Sequence, residues 1–369
     1  MQRFTMLTIL ALLVCPLAAG SVDAGDDATR SYLLIATSDD LPSGVSGQVV
    51  SAGGKLVRTM PDIGVAVAES AKSDFAKKAG KIKGMKSVVG NFWVPRPGVV
   101  DSRKMTKKDV PTAGTGEPGD TFYADQWNLL AVDAQGAWGE GAKGAGVVVA
   151  VLDDGFSASH PDLEPNLLAS LGKSFAYDSS GDLEDWDCDS DPTGPEYWFS
   201  HGSHVSGIIA APENDYGIVG IAPEAKILPV QVLSRDIGYG LWDWMIEGIV
   251  YAADNGADVI NMSLSGYVMR SGYYDEYEDK QYSAKEVAEA LVAIRRALTY
   301  AKDKGVVVVA ALGNEEIDLG KDKNGLAAPA ELGHCIAVSA TGPLGWYDDP
   351  GTDLDVPAIY TNYGKGAVE

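Results

Sequence analysis

The stretch that decides the fold is VVVAVLDDG, residues 147–155, in which six apolar residues run into two carboxylates and a glycine. An uninterrupted apolar run of this length is typical of a strand that is buried on both faces. Strands that alternate with helices predict an α/β fold, with a parallel sheet covered on both sides. The same texture continues in four more strand-like runs, 226–232, 259–262, 306–311 and 336–339, and in two helix-like stretches, 242–255 and 285–304.

Three regions with other patterns precede this one. Residues 1–24 combine an early positive charge, an apolar stretch and then small residues, which predicts a secretory signal peptide. Residues 30–96 alternate strand-like and helix-like segments and predict a compact α+β domain. Residues 97–120 carry Pro, Gly, Lys and Thr with few large apolar residues, as exposed linkers do. We therefore expect a secreted protein, extracellular or periplasmic, whose α/β domain occupies 121–369.

Charge is spread unevenly along the chain, whose formal net charge is −23. Residues 25–115 hold 14 Lys and Arg against 9 Asp and Glu, whereas residues 116–369 hold 14 against 42. A body this acidic excludes nucleic-acid binding through a general electrostatic field. After the predicted signal peptide, no apolar run is long enough to span a membrane.

Two cysteines remain once the predicted signal peptide is set aside. Cys188 lies in an acidic loop, and Cys335 opens an apolar run. Outside the cell the two thiols are able to pair. The sequence leaves both states open, and it slightly favours one buried thiol and one separate loop thiol.

Three polar side chains stand at the ends of predicted strands or helices. Asp153 ends the first apolar run, His201 opens a short helical motif, and Asn314 follows the run 306–311 after a glycine. Each alone has an ordinary explanation: a turn-forming Asp, a helix start whose His201 and His204 are also spaced for a metal, and an Asn in a tight turn. An amide at a strand end is also able to donate a hydrogen bond to a developing oxyanion.

Taken together, the order Asp, His, Asn resembles the subtilisin-like serine protease (subtilase) family over residues 123–364. The resemblance implies a subtilisin-like parallel sheet with helices on both faces, and hydrolysis of peptide bonds by a Ser-His-Asp mechanism without a catalytic cofactor. It is carried by seven motifs in the order of the family: DDG at 153–155, HPDL at 160–163, HGSHVSG at 201–207, GIAP at 220–223, DVINMSLSG at 258–266, AALGN at 310–314 and TNYG at 361–364.

The resemblance also implies roles for individual residues. Asp153 orients the imidazole and stabilises its cation, His201 is the general base and then the general acid, and Asn314 supplies an oxyanion-hole side chain. Domain 30–96 resembles an inhibitor-type propeptide, so the implied partners are protein or peptide substrates and the chain's own propeptide. Substrate binding by β-addition, and the wall of the first specificity pocket, are implied for Gly240, Ser263, Leu264 and Ser265.

Three features depart from the family pattern. Asp154 stands where the family usually has Ser or Thr, and residues 272–282 form a tyrosine-rich acidic insertion. This insertion either favours basic substrates or is a solvated loop. The Gly-Thr-Ser-Met-Ala segment is absent, and the one serine after Asn314 is Ser339, within an apolar strand pattern. We expect an α/β domain that is incomplete at its C-terminus and inactive alone; the alternative is an inactive, peptide-binding relic.

A structural calcium site is the last implication of the resemblance. Gln126, Asp162 and Asn214 bear oxygen atoms at positions where several subtilases hold Ca²⁺. Calcium prefers six to eight oxygen ligands, and loop carbonyls near Asn214 would supply the rest. The alternative is a surface glutamine, a turn-capping aspartate and a solvated loop.

Overall fold

The computed structural model describes residues 29–95, 119–190, 200–343, 345–346, 349 and 351–367. The predicted signal peptide and nearly all of the predicted linker lie outside these ranges. None of the described helices is both long and apolar enough to span a membrane. No disulfide joins the half-buried Cys188 to the buried Cys335, as the sequence slightly favoured.

The N-terminal unit, residues 29–95, is an antiparallel sheet of order β2-β3-β1-β4 with two short helices. Its segments are β1 (Arg30–Ala36), α1 (Val45–Ala52), β2 (Lys55–Met60), β3 (Val65–Ser70), α2 (Phe75–Ala79), β4 (Met85–Gly90) and β5 (Trp93–Pro95). The apolar residues at 88–94 do not form one continuous strand, because the structure divides them between β4 and β5. The division falls at Asn91, whose side-chain amide turns to Asp243 of the following unit at 2.7 Å.

Both faces of this small sheet are buried. Tyr32 and Leu34 pack on α1 and α2, whereas Leu33 and Ile35 join the large core of the rest of the chain. Successive strand residues point to opposite faces, so an unbroken apolar strand serves both contacts. The N-terminal unit is therefore built to pack against a second body.

The second unit, residues 119–367, is an α/β body around a parallel sheet, as predicted. The order of its six strands is β16-β14-β10-β6-β8-β7. Its segments are α3 (Trp127–Ala131), α4 (Ala134–Gly139), β6 (Val148–Asp153), β7 (Lys173–Ser174), α5 (His201–Ala210), β8 (Lys226–Gln231), β9 (Tyr239–Leu241), α6 (Trp242–Asp254), β10 (Val259–Met262), β11 (Gly266–Met269), β12 (Gly272–Asp275), β13 (Lys280–Ser283), α7 (Ala284–Asp303), β14 (Val307–Ala311), β15 (Gly325–Ala328) and β16 (Ile336–Val338).

Strand β6 shows why the sheet needs helices on both sides. Ala150 and Leu152 belong to the core that includes α6 and α7, while Val149 and Val151 pack with Val205 of α5. Because side chains alternate along a strand, a run without polar residues buries both of its faces. The apolar run in the sequence therefore fixes a layered fold.

One arginine of α7 fastens the N-terminal unit to the second unit. The guanidinium of Arg296 donates hydrogen bonds to the carbonyls of Ala36 at 2.9 Å, Ser38 at 3.0 Å and Ile63 at 3.0 Å. A planar guanidinium has five N–H donors, so one side chain satisfies several carbonyls at once. The three carbonyls belong to two separate turns, which Arg296 holds together.

A second arginine crosses the interface in the opposite direction. Arg58 of β2 forms an ion pair with Asp243, which is fully buried, and another with Glu247 at 2.8 Å. Burial raises the pKa of Glu247 to about 7, although the charge of Arg58 acts to lower it. The N-terminal unit thus supplies the cation that a buried acidic pair on α6 requires.

Arg296→Ala should weaken the docking of the N-terminal unit, because it removes the donor to the carbonyls of Ala36, Ser38 and Ile63. The expected loss is about 2–4 kcal/mol of unfolding free energy, with faster hydrogen exchange across β1 and β3. Arg295→Ala is the matched control, since Arg295 is exposed on the same helix. Equal melting curves and exchange rates for both variants would show that Arg296 does not carry the docking.

Candidate active site

The carboxyl end of β6 meets the first residue of α5, and this junction brings Asp153 and His201 together. His201 Nδ1 lies 2.9 Å from Asp153 Oδ1 and 2.8 Å from Oδ2. The predicted contact is confirmed. Asp153 is 1% exposed, whereas the His201 side chain is 27% exposed. A buried carboxylate therefore orients a ring whose other nitrogen, Nε2, faces away from Asp153.

The start of α5 is held in place by its own neighbours. Ser200 is the N-cap: its Oγ accepts from the Ser203 N–H at 3.1 Å and donates to the Gly155 carbonyl at 2.6 Å. Asp154 Oδ1 accepts from the Gly202 N–H at 3.1 Å. A carboxylate at a helix N-terminus is favourable, because the N–H groups there carry positive partial charge. Asp154 thus anchors the helix that carries His201.

Close approach of α5 to β6 depends on the absence of a side chain at Gly202. A Cβ atom there would lie 2.4 Å from the Gly155 carbonyl oxygen and 3.1 Å from Asp153 Cβ. A methyl group would force the helix away from the strand. The glycine beside His201 is therefore part of the geometry that joins His201 to Asp153.

Asn314 lies at the same edge of the sheet, beyond the end of β14. It lines a pocket of about 180 Å³ together with Ser263, Ser339 and Thr361. Strand β10 separates β14 from β6, so the two strands run about 10 Å apart. The structure places Asn314 and the Asp153–His201 pair at one edge of the sheet, at the ends of different strands.

Ser339 follows β16 and also lines this pocket. Its Oγ donates a hydrogen bond to the Asn362 carbonyl at 2.7 Å. The hydroxyl is thus used in holding the segment around Asn362 against the sheet. This is the packing role that the sequence context predicts for Ser339.

The strand edge predicted to bind peptides is occupied by the chain's own N-terminal unit. Strand β9 pairs with β5 in antiparallel register, so that Gly240 faces Val94. Beyond β10, Leu264 is buried, and Ser263 Oγ accepts from the side-chain amide of Asn261 at 3.0 Å. Ser265, the last of the predicted substrate-binding residues, has a buried hydroxyl without a hydrogen-bond partner among the described residues.

The tyrosine-rich insertion is not a solvated loop, so that alternative is wrong. It folds into a hairpin of β12 and β13, in which Asp275 is fully buried and Tyr282 is 1% exposed. The rings of Tyr273 and Tyr282 each lie 5.0 Å from the ring of Phe92 in the N-terminal unit. Aromatic side chains that alternate with acidic ones let this hairpin cover the N-terminal unit, a contact with no local sequence signal.

The residues predicted to bind calcium lie around one loop, 213–219. Asn214 Nδ2 donates to Asp162 Oδ1 at 3.3 Å. The side-chain amide of Gln126 makes two 2.8 Å hydrogen bonds with the main chain of Val219, at the end of this loop. Sequence reasoning missed Asp120, which is 3% exposed and accepts from the Asn214 N–H at 3.1 Å.

The chemistry of this loop fits a hard cation. Asp120 Oδ2 is buried without a hydrogen-bond partner among the described residues. Burial raises the pKa of Asp162, and the neighbouring Asp120 adds to the rise. A divalent cation would offset that repulsion, with Asp120, Asp162 and Asn214 as the residues that hold it. Within the described part of the chain, no cluster of three or more His, Cys, Asp and Glu is arranged for a metal, so loop oxygens would have to complete the coordination.

Comparison with protein families matches residues 144–365 to the Subtilase family, which is 60% of the chain. The chain belongs to the subtilase family. The match covers the sheet from β6 to β16 and includes Asp153, His201 and Asn314.

Similarity to individual subtilases agrees with this. The chain is 35% identical over 233 residues to the major intracellular serine protease of Bacillus subtilis (strain 168), covering 62% of this chain and 63% of that protein. It is 33% identical over 255 residues to thermitase of Thermoactinomyces vulgaris, covering 67% and 76%. The chain thus spans less than two thirds of the length of the first of these relatives.

A solved subtilase structure shows the same fold. The crystal structure of fervidolysin from Fervidobacterium pennivorans, a keratinolytic enzyme related to subtilisin, superposes with a TM-score of 0.62 at 26% sequence identity. The superposition covers 86% of this chain and 44% of that chain. The predicted subtilisin-like α/β fold is therefore confirmed.

Gly202→Ala should displace α5 from β6, because the new methyl group meets the Gly155 carbonyl. The expected loss is about 1–3 kcal/mol of unfolding free energy, with a changed NMR shift at the His201 ring nitrogen that contacts Asp153. Gly139→Ala is the control, since a Cβ there meets nothing within 4 Å. An unchanged His201 shift in Gly202→Ala would show that the close approach does not position the ring.

Proposed function

We propose that this subtilase is the precursor of a secreted serine endopeptidase. The observation that carries the proposal is the 2.8 Å contact between the buried Asp153 carboxylate and His201 Nδ1, at the carboxyl edge of a parallel sheet. In this arrangement the carboxylate holds the ring in the tautomer that carries its proton on Nδ1. Nε2 is then the basic nitrogen that faces the substrate.

The chemistry follows from that tautomer. A serine Oγ attacks the substrate carbonyl carbon while His201 Nε2 takes the Oγ proton, and the carbonyl oxygen becomes an oxyanion. Asn314 donates a hydrogen bond to that oxygen. The C–N bond then breaks as His201 returns the proton to the leaving amine, and water releases the acyl group by the reverse sequence. Asp153 stabilises the imidazolium throughout.

Residues 1–369 contain no motif that matches the catalytic-serine segment of the family, so the nucleophile is not identified among them. Ser339 is bonded to Asn362 at 2.7 Å, and the segment Gly-Thr-Ser-Met-Ala is absent from the sequence. We therefore propose that hydrolysis requires a serine segment of this kind, and that residues 1–369 without one are inactive. Triad residues act as a unit, so two of them without the third give little catalysis.

The N-terminal unit is proposed to be the inhibitor-type propeptide. Three contacts support this role: Arg296 and Arg58 dock the unit on α7 and α6, and β5 occupies the β9 edge where a substrate peptide would add. Its surplus of positive charge complements the acidic body. Secretion is supported by the predicted signal peptide in residues 1–24.

A second candidate function is peptide binding without hydrolysis. It is favoured by the pairing of β5 with β9, which holds a peptide strand without a nucleophile. The two candidates differ in whether a serine segment restores hydrolysis.

The first test compares casein hydrolysis by residues 1–369 with that of a version extended through a serine motif. Only the extended version should cleave, and His201→Ala in it should lower the rate about 10⁴-fold or more. His204→Ala, one helical turn away, is the control and should retain most of the activity. If residues 1–369 cleave casein and lose that activity on His201→Ala, another residue is the nucleophile and the proposal fails.

We also propose that Asp120, Asp162 and Asn214, with carbonyls of loop 213–219, bind one calcium ion that tethers the start of the second unit. Asp120 is added to the sequence-based set, because its buried Oδ2 has no hydrogen-bond partner among the described residues; Gln126 would hold the end of the loop through the Val219 main chain. Calcium at about 100 times its dissociation constant should add about 2.7 kcal/mol.

The corresponding measurement is the melting temperature in calcium and in chelator. Calcium should raise it by about 5 °C, and Asp162→Asn or Asp120→Asn should remove the increase. Asp303→Asn is the control, because Asp303 lies exposed on α7. A calcium shift that survives both loop substitutions would place the ion elsewhere, and no shift in the unsubstituted chain would exclude the site.

A further inference from the structure

The hairpin of β12 and β13 reaches the main chain of Trp93, the first residue of β5. In an antiparallel pair, residues alternate between those that bond across the ladder and those that point outward. Trp93 points outward: its N–H donates to Asp275 Oδ2 at 2.8 Å, and its carbonyl accepts from the Tyr273 hydroxyl at 2.8 Å. The hairpin therefore satisfies both outward main-chain groups of Trp93.

The side chain of Trp93 is held by aromatic rings from two elements. Its ring meets Trp244 of α6 edge-on at 5.4 Å and Tyr277 of the hairpin at 4.5 Å, and Tyr277 in turn lies 5.5 Å from Tyr239 of β9. Such ring pairs add attraction beyond the burial of area. An open cavity of about 500 Å³ beside Trp93, lined by Tyr177 and Trp244 among others, leaves room for a large ring.

Asp275 is held in place by contacts other than the one with Trp93. Asp275 is fully buried, and its other oxygen accepts the N–H groups of Tyr277 and Glu278, both at 3.0 Å. The carboxylate is thus fixed by its own turn. A site that is already ordered binds a peptide without the entropy cost of ordering it.

The next residue of β5, Val94, has little space around its side chain, in contrast to Trp93. A Cβ atom at Gly266 would lie 2.8 Å from Val94 Cγ1 and 3.4 Å from the ring of Trp242. Val94 is 5% exposed, so this position is closed around a small, branched side chain. Aromatic followed by small aliphatic is therefore the pattern that the cleft accepts.

We propose that Tyr273, Asp275 and Tyr277 of the hairpin, with Trp244 of α6, form an aromatic clamp that selects substrates. The clamp recognises extended peptides that carry an aromatic residue directly before a small β-branched one. Tyr273 and Asp275 bind the main chain of the aromatic residue, and Tyr277 and Trp244 bind its ring. Residues 90–95 occupy the clamp in the precursor. The inference rests on the proposed function, because it assigns the specificity of the same cleft.

The test uses the full chain with Trp93→Gly and Val94→Gly, which removes the two side chains that fill the clamp, and acetyl-Trp-Val-Pro-Arg-amide as the probe. Calorimetry should show at least tenfold tighter binding of this peptide than of its Ala-Val-Pro-Arg counterpart. Adding Tyr277→Ala should abolish that preference. Tyr273→Phe should weaken both peptides about fivefold, since it removes one main-chain hydrogen bond. Tyr274→Phe, on the exposed side of the hairpin, is the matched control and should change nothing.

Equal binding of the two peptides, or a preference that survives Tyr277→Ala, would overturn the clamp. A second measurement uses the chain that keeps Trp93 and Val94. In this chain, Tyr277→Ala should speed hydrogen exchange at the Trp93 amide, and Tyr274→Phe should not. Unchanged exchange would also overturn it. Binding requires no hydrolysis, so the two proposals are separable. If the version extended through a serine motif stays inactive while the chain prefers the Trp peptide, the protease proposal fails and the clamp stands. A protease without this preference refutes only the clamp.

Discussion

The contact of α5 with the end of β6 is the constraint on which the candidate site depends. His201 reaches Asp153 only because Gly202 lets the helix approach within the space that a methyl group would fill. Ser200 and Asp154 then hold the first turn of the helix by hydrogen bonds. The parallel sheet determines where the site lies, since its strands end at one edge. The start of α5 determines how the His201 ring is oriented toward Asp153. Chemistry at this edge therefore depends on packing as much as on the reacting groups.

Docking of the N-terminal unit follows the same logic on a larger scale. Its sheet buries one face on its own helices and the other on α6 and α7, so neither body is complete at that surface alone. Arg58 enters an acidic pair from one side, and Arg296 binds carbonyls from the other. The two guanidinium groups fix the orientation of the N-terminal unit on the second unit, because each binds groups that only the opposite surface provides.

Much of this could be predicted from the sequence, because the signals are local. Apolar runs and strand-end polar residues located the parallel sheet, Asp153 and His201, and the motifs located Asn314. The sequence did not predict the docking contacts of Arg296, the position of Asp120 beside loop 213–219, or the packing of the hairpin around Tyr282. Their partners are remote in the chain, as the carbonyl of Ala36 is from Arg296, and no periodicity links such positions. The assignment of Gln126 to a calcium site stays a prediction, because residue type reveals an oxygen atom but not which group already bonds to it.

The pairing of β5 with β9 also affects the tendency of the protein to self-associate. Each strand is three residues long, and together they form a separate two-stranded sheet. Once β5 withdraws, the outward N–H and carbonyl groups around Gly240 become an open edge. Such an edge is a template on which a strand of another molecule can add. While β5 covers the edge of β9, no strand of another molecule can pair there. Because β9 is only three residues long, any intermolecular sheet that formed on it would be short.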